Sequence, residues 1–136
     1  MRLLMAFPLI AIVLIAYNVM VFTDPGWLWA EAMRINMMSG ASLSLQWADM
    51  LIMSALFMLF VEVLKAARVS NLTILDHIMS TAVFIVALVE FLLVPEAGTA
   101  PFFTLLGIAL IDAIAGSSIS IRTARRDVAC AGGGQE

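Results

Sequence analysis

"LSLQWADMLIMSALFMLFVEVL", residues 43–64, sets the terms on which the rest of the chain is read. From Met50 to Val61 only Ser54 interrupts the hydrocarbon, and charge appears only towards the ends, at Asp49 and Glu62. A half-buried strand alternates apolar and polar residues, whereas this run is continuous and close to the ~20 residues that carry a helix across a ~30 Å bilayer core. Three further runs have the same character, at 3–22, 73–94 and 101–121. None shows the dyad alternation of a barrel strand, and a lone segment in lipid must satisfy its own backbone hydrogen bonds, so each is expected to be a helix. The expected fold is all-α: a polytopic membrane protein with four transmembrane helices.

Composition supports that class. Of 136 residues, 63% are hydrophobic and 12% charged, against about 25% charged in a typical soluble domain. The net charge of −3 and seven scattered basic residues give no nucleic-acid surface. One cysteine, Cys130, excludes an intrachain disulfide and a multi-thiolate metal site.

The punctuation between runs agrees. "TDPG" at 23–26 reads as a turn after the first run, and "TILD" at 73–76 has the spacing of a capping box opening the third. "VPEAGTAP" separates the third from the fourth, with Pro101 suited to a first helical position. The first run is longer than a signal-peptide core and lacks a small-x-small cleavage site, so it reads as a retained helix. Orientation follows from the basic residues. Arg2, Lys65, Arg68, Arg122, Arg125 and Arg126 fall on one side if there are four crossings, leaving Arg34 on the other. Both termini are therefore expected in the cytoplasm. The tail 122–136 is basic and then glycine-rich, and its three arginines suit anionic headgroups of the inner leaflet.

The first outer loop, 23–42, is the longest connection, and a short interfacial helix is expected within it. Trp27, Trp29 and, at the mouth of the second helix, Trp47 read as anchors at the headgroup level, where an apolar ring with one N–H is best accommodated.

Few residues suggest chemistry. His77 is the sole histidine, so neither a bis-histidine haem site nor a two-histidine zinc site fits within one chain. There is no glycine-rich phosphate loop or nucleophile elbow, and no catalytic residue, cofactor or metal is expected. The ten methionines read as adaptable packing. What remains is a set of acids. Glu62, with Lys65 at i+3, and Asp76, in its capping box, are expected near the cytoplasmic ends of their helices. Asp49 and Glu90 lie about a turn inside the outer boundary. Asp112 falls near the middle of the fourth helix, where an acidic residue costs about 2.5–3.5 kcal/mol on insertion scales. It is expected to face other helices as a hydrogen-bonding group, with Ser54 and Thr81 as partners. Asp76, Ser80, Val83, Ala87 and Glu90 share one small or polar face of the third helix, and the fourth repeats small residues around Asp112, the pattern of close helix contact in lipid.

"LFVEVLKAAR", "DHIMSTAVFIVALVEFLLVP" and "IALIDAIAGSSISIRTARRD" resemble a group of small four-helix inner-membrane proteins of alphaproteobacteria that has no assigned activity. The resemblance covers the second to fourth helices and implies a bacterial inner-membrane location without implying chemistry. The function expected from the sequence is that of a non-enzymatic accessory or assembly subunit. Its partners would be the lipid bilayer and other membrane chains, or copies of itself. The alternative is a small oligomeric channel or transporter for protons or cations that uses the intramembrane acids.

Overall fold

A computed structural model describes residues 7–66 and 72–131, with side chains except those of 66, 72–74, 76 and 116–131. The described chain is mostly helical. Helix α1 (Ile10–Thr23) is followed by the short α2 (Gly26–Trp29), then by strands β1 (Glu31–Asn36) and β2 (Ser42–Gln46). Helices α3 (Trp47–Ala66) and α4 (Leu72–Leu93) come next, and a 3-10 turn (Pro95–Ala97) leads into α5 (Ala100–Ala131).

The mostly helical chain is consistent with the all-α expectation, and the loop after α1 is the exception. The only helix there is the four-residue α2, and most of the loop is an antiparallel hairpin that pairs Met33 with Leu45, Arg34 with Ser44 and Ile35 with Leu43. Its cause is visible in "MRIN", residues 33–36, and "SLSLQ", where apolar and polar residues alternate with the period of a strand, the register being irregular between Glu31 and Met33. Gly40 closes the connection with φ of 84°, a left-handed conformation that a Cβ disfavours, and its N–H donates to the Met37 carbonyl at 3.0 Å. Because β2 takes residues 42–46, α3 begins at Trp47 rather than Leu43.

Two other boundaries also differ from expectation. Helix α1 starts at Ile10, just after Pro8, which has no N–H and biases Phe7 away from helical dihedrals; residues 3–6 of the expected span lie outside the described residues. The last helix does not stop at Ile121 but continues to Ala131, so Arg122, Arg125 and Arg126 lie on helical backbone rather than in an unstructured tail. Its 32 residues amount to about 48 Å at 1.5 Å per residue.

The core forms around α5, which packs most extensively against α4 and α3. Phe102, Leu105, Leu106, Ala109, Asp112 and Ala113 make its buried face, at helical spacing. The helices facing it bury small or polar residues seven apart: Ala48, Ala55 and Glu62 on α3, Ser80 and Ala87 on α4. Side chains as small as Ala and Ser let backbones approach closely, so the inward-facing stripe expected on α4 is present at Ser80 and Ala87. Helix α1 lies along α3 with Ile10, Val13, Leu14, Tyr17 and Val21 buried, but touches α4 much less. Among the described residues one helix, over Trp47–Lys65, could cross a membrane by length and composition, and Ile10–Thr23, His77–Leu93 and Ala100–Ala115 are apolar but shorter.

Candidate functional site

The sparse contact between α1 and α4 leaves a groove. Ala11, Leu14, Ile15 and Asn18 of α1 line one wall, and Ala82, Val83, Val86 and Ala87 of α4 line the other, around a cavity of about 280 Å³. The lining is almost wholly apolar until the ends of the two helices, where Glu90 and Asn18 meet within hydrogen-bonding reach. Both are half-buried. Glu90 thus sits where the sequence pattern places it, on the small face of its helix, whose Ser80 and Ala87 pack inward while its Glu90 end borders the opening. Sequence reasoning does not single out Asn18, although a lone amide in an apolar run is a signal.

Next to this mouth, α1 is locked to the connection between α4 and α5. The Tyr17 hydroxyl lies 2.5 Å from Thr99 Oγ1 and 3.4 Å from the Glu96 carbonyl oxygen, to which it can donate. Thr99 caps α5, its Oγ1 accepting from the Phe102 N–H at 3.3 Å. The Tyr17 ring packs on Phe102 at 4.9 Å between centroids, and Phe102 lies parallel to Phe91 at 6.2 Å. Tyr17 and Phe102 are both fully buried. Sequence reasoning misses this lock as well, although Tyr17 is the chain's one tyrosine.

The remaining acids have separate surroundings. Asp49 is held at the start of its helix, where Oδ2 accepts the Gln46 N–H at 2.9 Å, the return half of a capping box. Glu62, expected to be a solvent-accessible partner of Lys65, is instead 3% exposed. Its Oε2 accepts the Leu9 N–H at 3.1 Å, while Lys65 Nζ lies 3.9 Å from Oε1. A carboxylate from the end of α3 therefore caps the N-terminus of α1, where an anion complements the helix dipole. The contact spans 53 residues of sequence and leaves no local motif.

Asp112 is 4% exposed, on the inward face of α5. The expected partners donate elsewhere: Ser54 Oγ to the Leu51 carbonyl at 2.8 Å and Thr81 Oγ1 to the His77 carbonyl at 2.9 Å. Hydroxyls in apolar helices commonly donate one turn back in this way and keep their oxygen lone pairs as acceptors. The capping role of Asp76 and the contacts of Arg122, Arg125 and Arg126 lie outside the described side chains.

Trp27, Trp29 and Trp47 are all exposed, around the hairpin. On the hairpin itself Arg34 forms a two-pronged bond to Glu31, Nε to Oε1 at 2.9 Å and Nη2 to Oε2 at 2.6 Å. That hydrogen bonding holds the Glu31 carboxyl below its ordinary range. Among the described residues no three His, Cys, Asp or Glu side chains converge as a metal-binding set. The chain matches no family model, no curated protein and no solved structure.

Proposed function

We propose that this chain is a four-crossing protein of the bacterial inner membrane, with both termini in the cytoplasm, acting without catalysis as an accessory or assembly subunit. The observation that carries the reading is the outward surface of the four long helices. Ile12, Ile15 and Val19 on α1, Met53, Phe57 and Phe60 on α3, Ile85 and Val86 on α4, and Phe103, Ile111 and Ile114 on α5 are all exposed. A surface apolar on every helix is unfavourable in water and ordinary in lipid. The apolar stretch of α3 is only 17% buried, which distinguishes it from the core helix of a soluble protein. Helix α1 has 14 residues, and tilt or local thinning of the bilayer accommodates a short span. Trp27, Trp29 and Trp47 anchor the outer end, and Arg122, Arg125 and Arg126 the inner one.

Association is the work left to such a molecule, with small residues already used for close packing and broad apolar faces still open. The rival, a file of acids conducting protons or cations, is weakened by where those acids lie. Of the three acids that would form it, Asp49 holds a helix start, Glu90 opens on a lateral groove, and Asp112 lies on the inward face of α5.

The test is native mass spectrometry of the full chain released from mild detergent, with Asp112→Asn and Asp112→Leu alongside. Defined complexes, retained by the asparagine variant and weakened by leucine, are expected. A solitary chain whose reconstituted vesicles pass protons, and stop doing so with asparagine at 112, would replace this reading by the rival.

A further inference from the structure

The groove between α1 and α4 combines features that packing alone does not require. Its walls are apolar over two turns of α1 and three of α4, and among the described residues its one carboxyl, Glu90, stands at the outer mouth beside an amide, Asn18. Among the described residues no lysine or arginine lines it. The surroundings are electronegative as well. Helices α1 and α4 run the same way, ending at Thr23 and Leu93 close to this mouth, so both present the carbonyl ends of their dipoles there, and such ends favour cations. On the outer side of the chain the acids are Asp24, Glu31, Asp49, Glu90 and Glu96, five against the single base Arg34. Arg34 is itself engaged by Glu31.

A cavity of about 280 Å³ is close to the lower end of the range for small-molecule sites, which are mostly apolar with a few convergent polar groups. An acyl chain or a neutral alcohol would use the walls but leave the carboxyl without a counter-charge. An anion would meet repulsion from Glu90 and from both helix ends. We propose that the groove binds a lipophilic organic ammonium ion, its hydrocarbon part along Leu14, Ile15, Val83 and Val86 and its charged head between Glu90 and Asn18. Glu90 pairs with the head, and Asn18 fixes the carboxyl through its amide. The proposal rests on the membrane reading above but is independent of the accessory role.

Equilibrium dialysis of radiolabelled decylammonium against nanodiscs of zwitterionic lipid, with and without the full chain, tests it. Decanol serves as the uncharged control. Recovery of the chain in discs, measured before any probe is added, tests the membrane reading separately. Saturable decylammonium binding above that of empty discs is expected, with decanol at least tenfold weaker. Glu90→Gln should bring decylammonium down to the decanol level. Ala82→Phe, at a rim position outside the core, should block both probes without disturbing the packing of α5. Decanol binding as tightly as decylammonium would mean an acyl-chain groove and overturn the proposal. So would undiminished decylammonium binding by Glu90→Gln, or no binding above empty discs.

Discussion

Replacing Tyr17 by phenylalanine removes one oxygen and leaves the ring against Phe102. The lost contacts are the one to Thr99 at 2.5 Å and the longer one to the Glu96 carbonyl at 3.4 Å. A hydrogen bond of this kind contributes about 1 kcal/mol net, so Tyr17→Phe should lower the midpoint of thermal unfolding in detergent modestly. Tyr17→Ala, which also empties a fully buried ring site, should cost about 3–5 kcal/mol by analogy with other aromatic truncations. Glu62 offers a second comparison at this scale. Its Oε2 is the acceptor for the Leu9 N–H, so Glu62→Gln, which keeps an oxygen, should retain most of the stability. Glu62→Ala should lose about 1–3 kcal/mol, the cost of stranding a buried donor. Equal losses in the two variants, in the same thermal measurement, would mean that the charge and not the cap is what matters at this position.

Among the elements, the hairpin has the most local determinants. Gly40 adopts φ of 84°, and a Cβ at that position would meet nothing within 4 Å, so the cost of substitution is conformational rather than steric. Gly40→Val should cost about 1–2 kcal/mol of hairpin stability, seen as faster amide exchange over Glu31–Asn36 with little change in the long helices. Unchanged exchange there would contradict the assigned turn. The Glu31–Arg34 bond adds a pH dependence of known sign. A carboxyl held below its ordinary range favours the folded hairpin at neutral pH, and that contribution fades as pH falls through the lowered value. The same elements mark what is legible in the sequence. Continuous apolarity locates the helices, and the 3.6-residue period picks out the inward stripe of α4 at Ser80 and Ala87. The hairpin is legible too, in the alternation of "SLSLQ", but those residues adjoin a long apolar run and merge with it. The Glu62 cap, the Tyr17 lock and the Asn18–Glu90 pair are not legible. Each joins residues more than fifty positions apart, and no local spacing encodes such a meeting.

For the molecule as a whole, the apolar outer faces of α1, α3, α4 and α5 and the distribution of basic residues point the same way. The hairpin and the Pro95–Ala97 turn lie at the end where Tyr17 locks α1 to Thr99, and the Glu62 cap lies at the other. A bilayer between these two ends would place the tryptophans in one headgroup layer and Lys65 in the other. Reporter fusions to the full-length chain, one inserted at Gly98 and one after Gly134, measure this arrangement directly. A periplasmic signal is expected from Gly98 and a cytoplasmic signal from the position after Gly134. A periplasmic signal from the C-terminal fusion, or a cytoplasmic one from Gly98, would contradict four crossings with both termini inside.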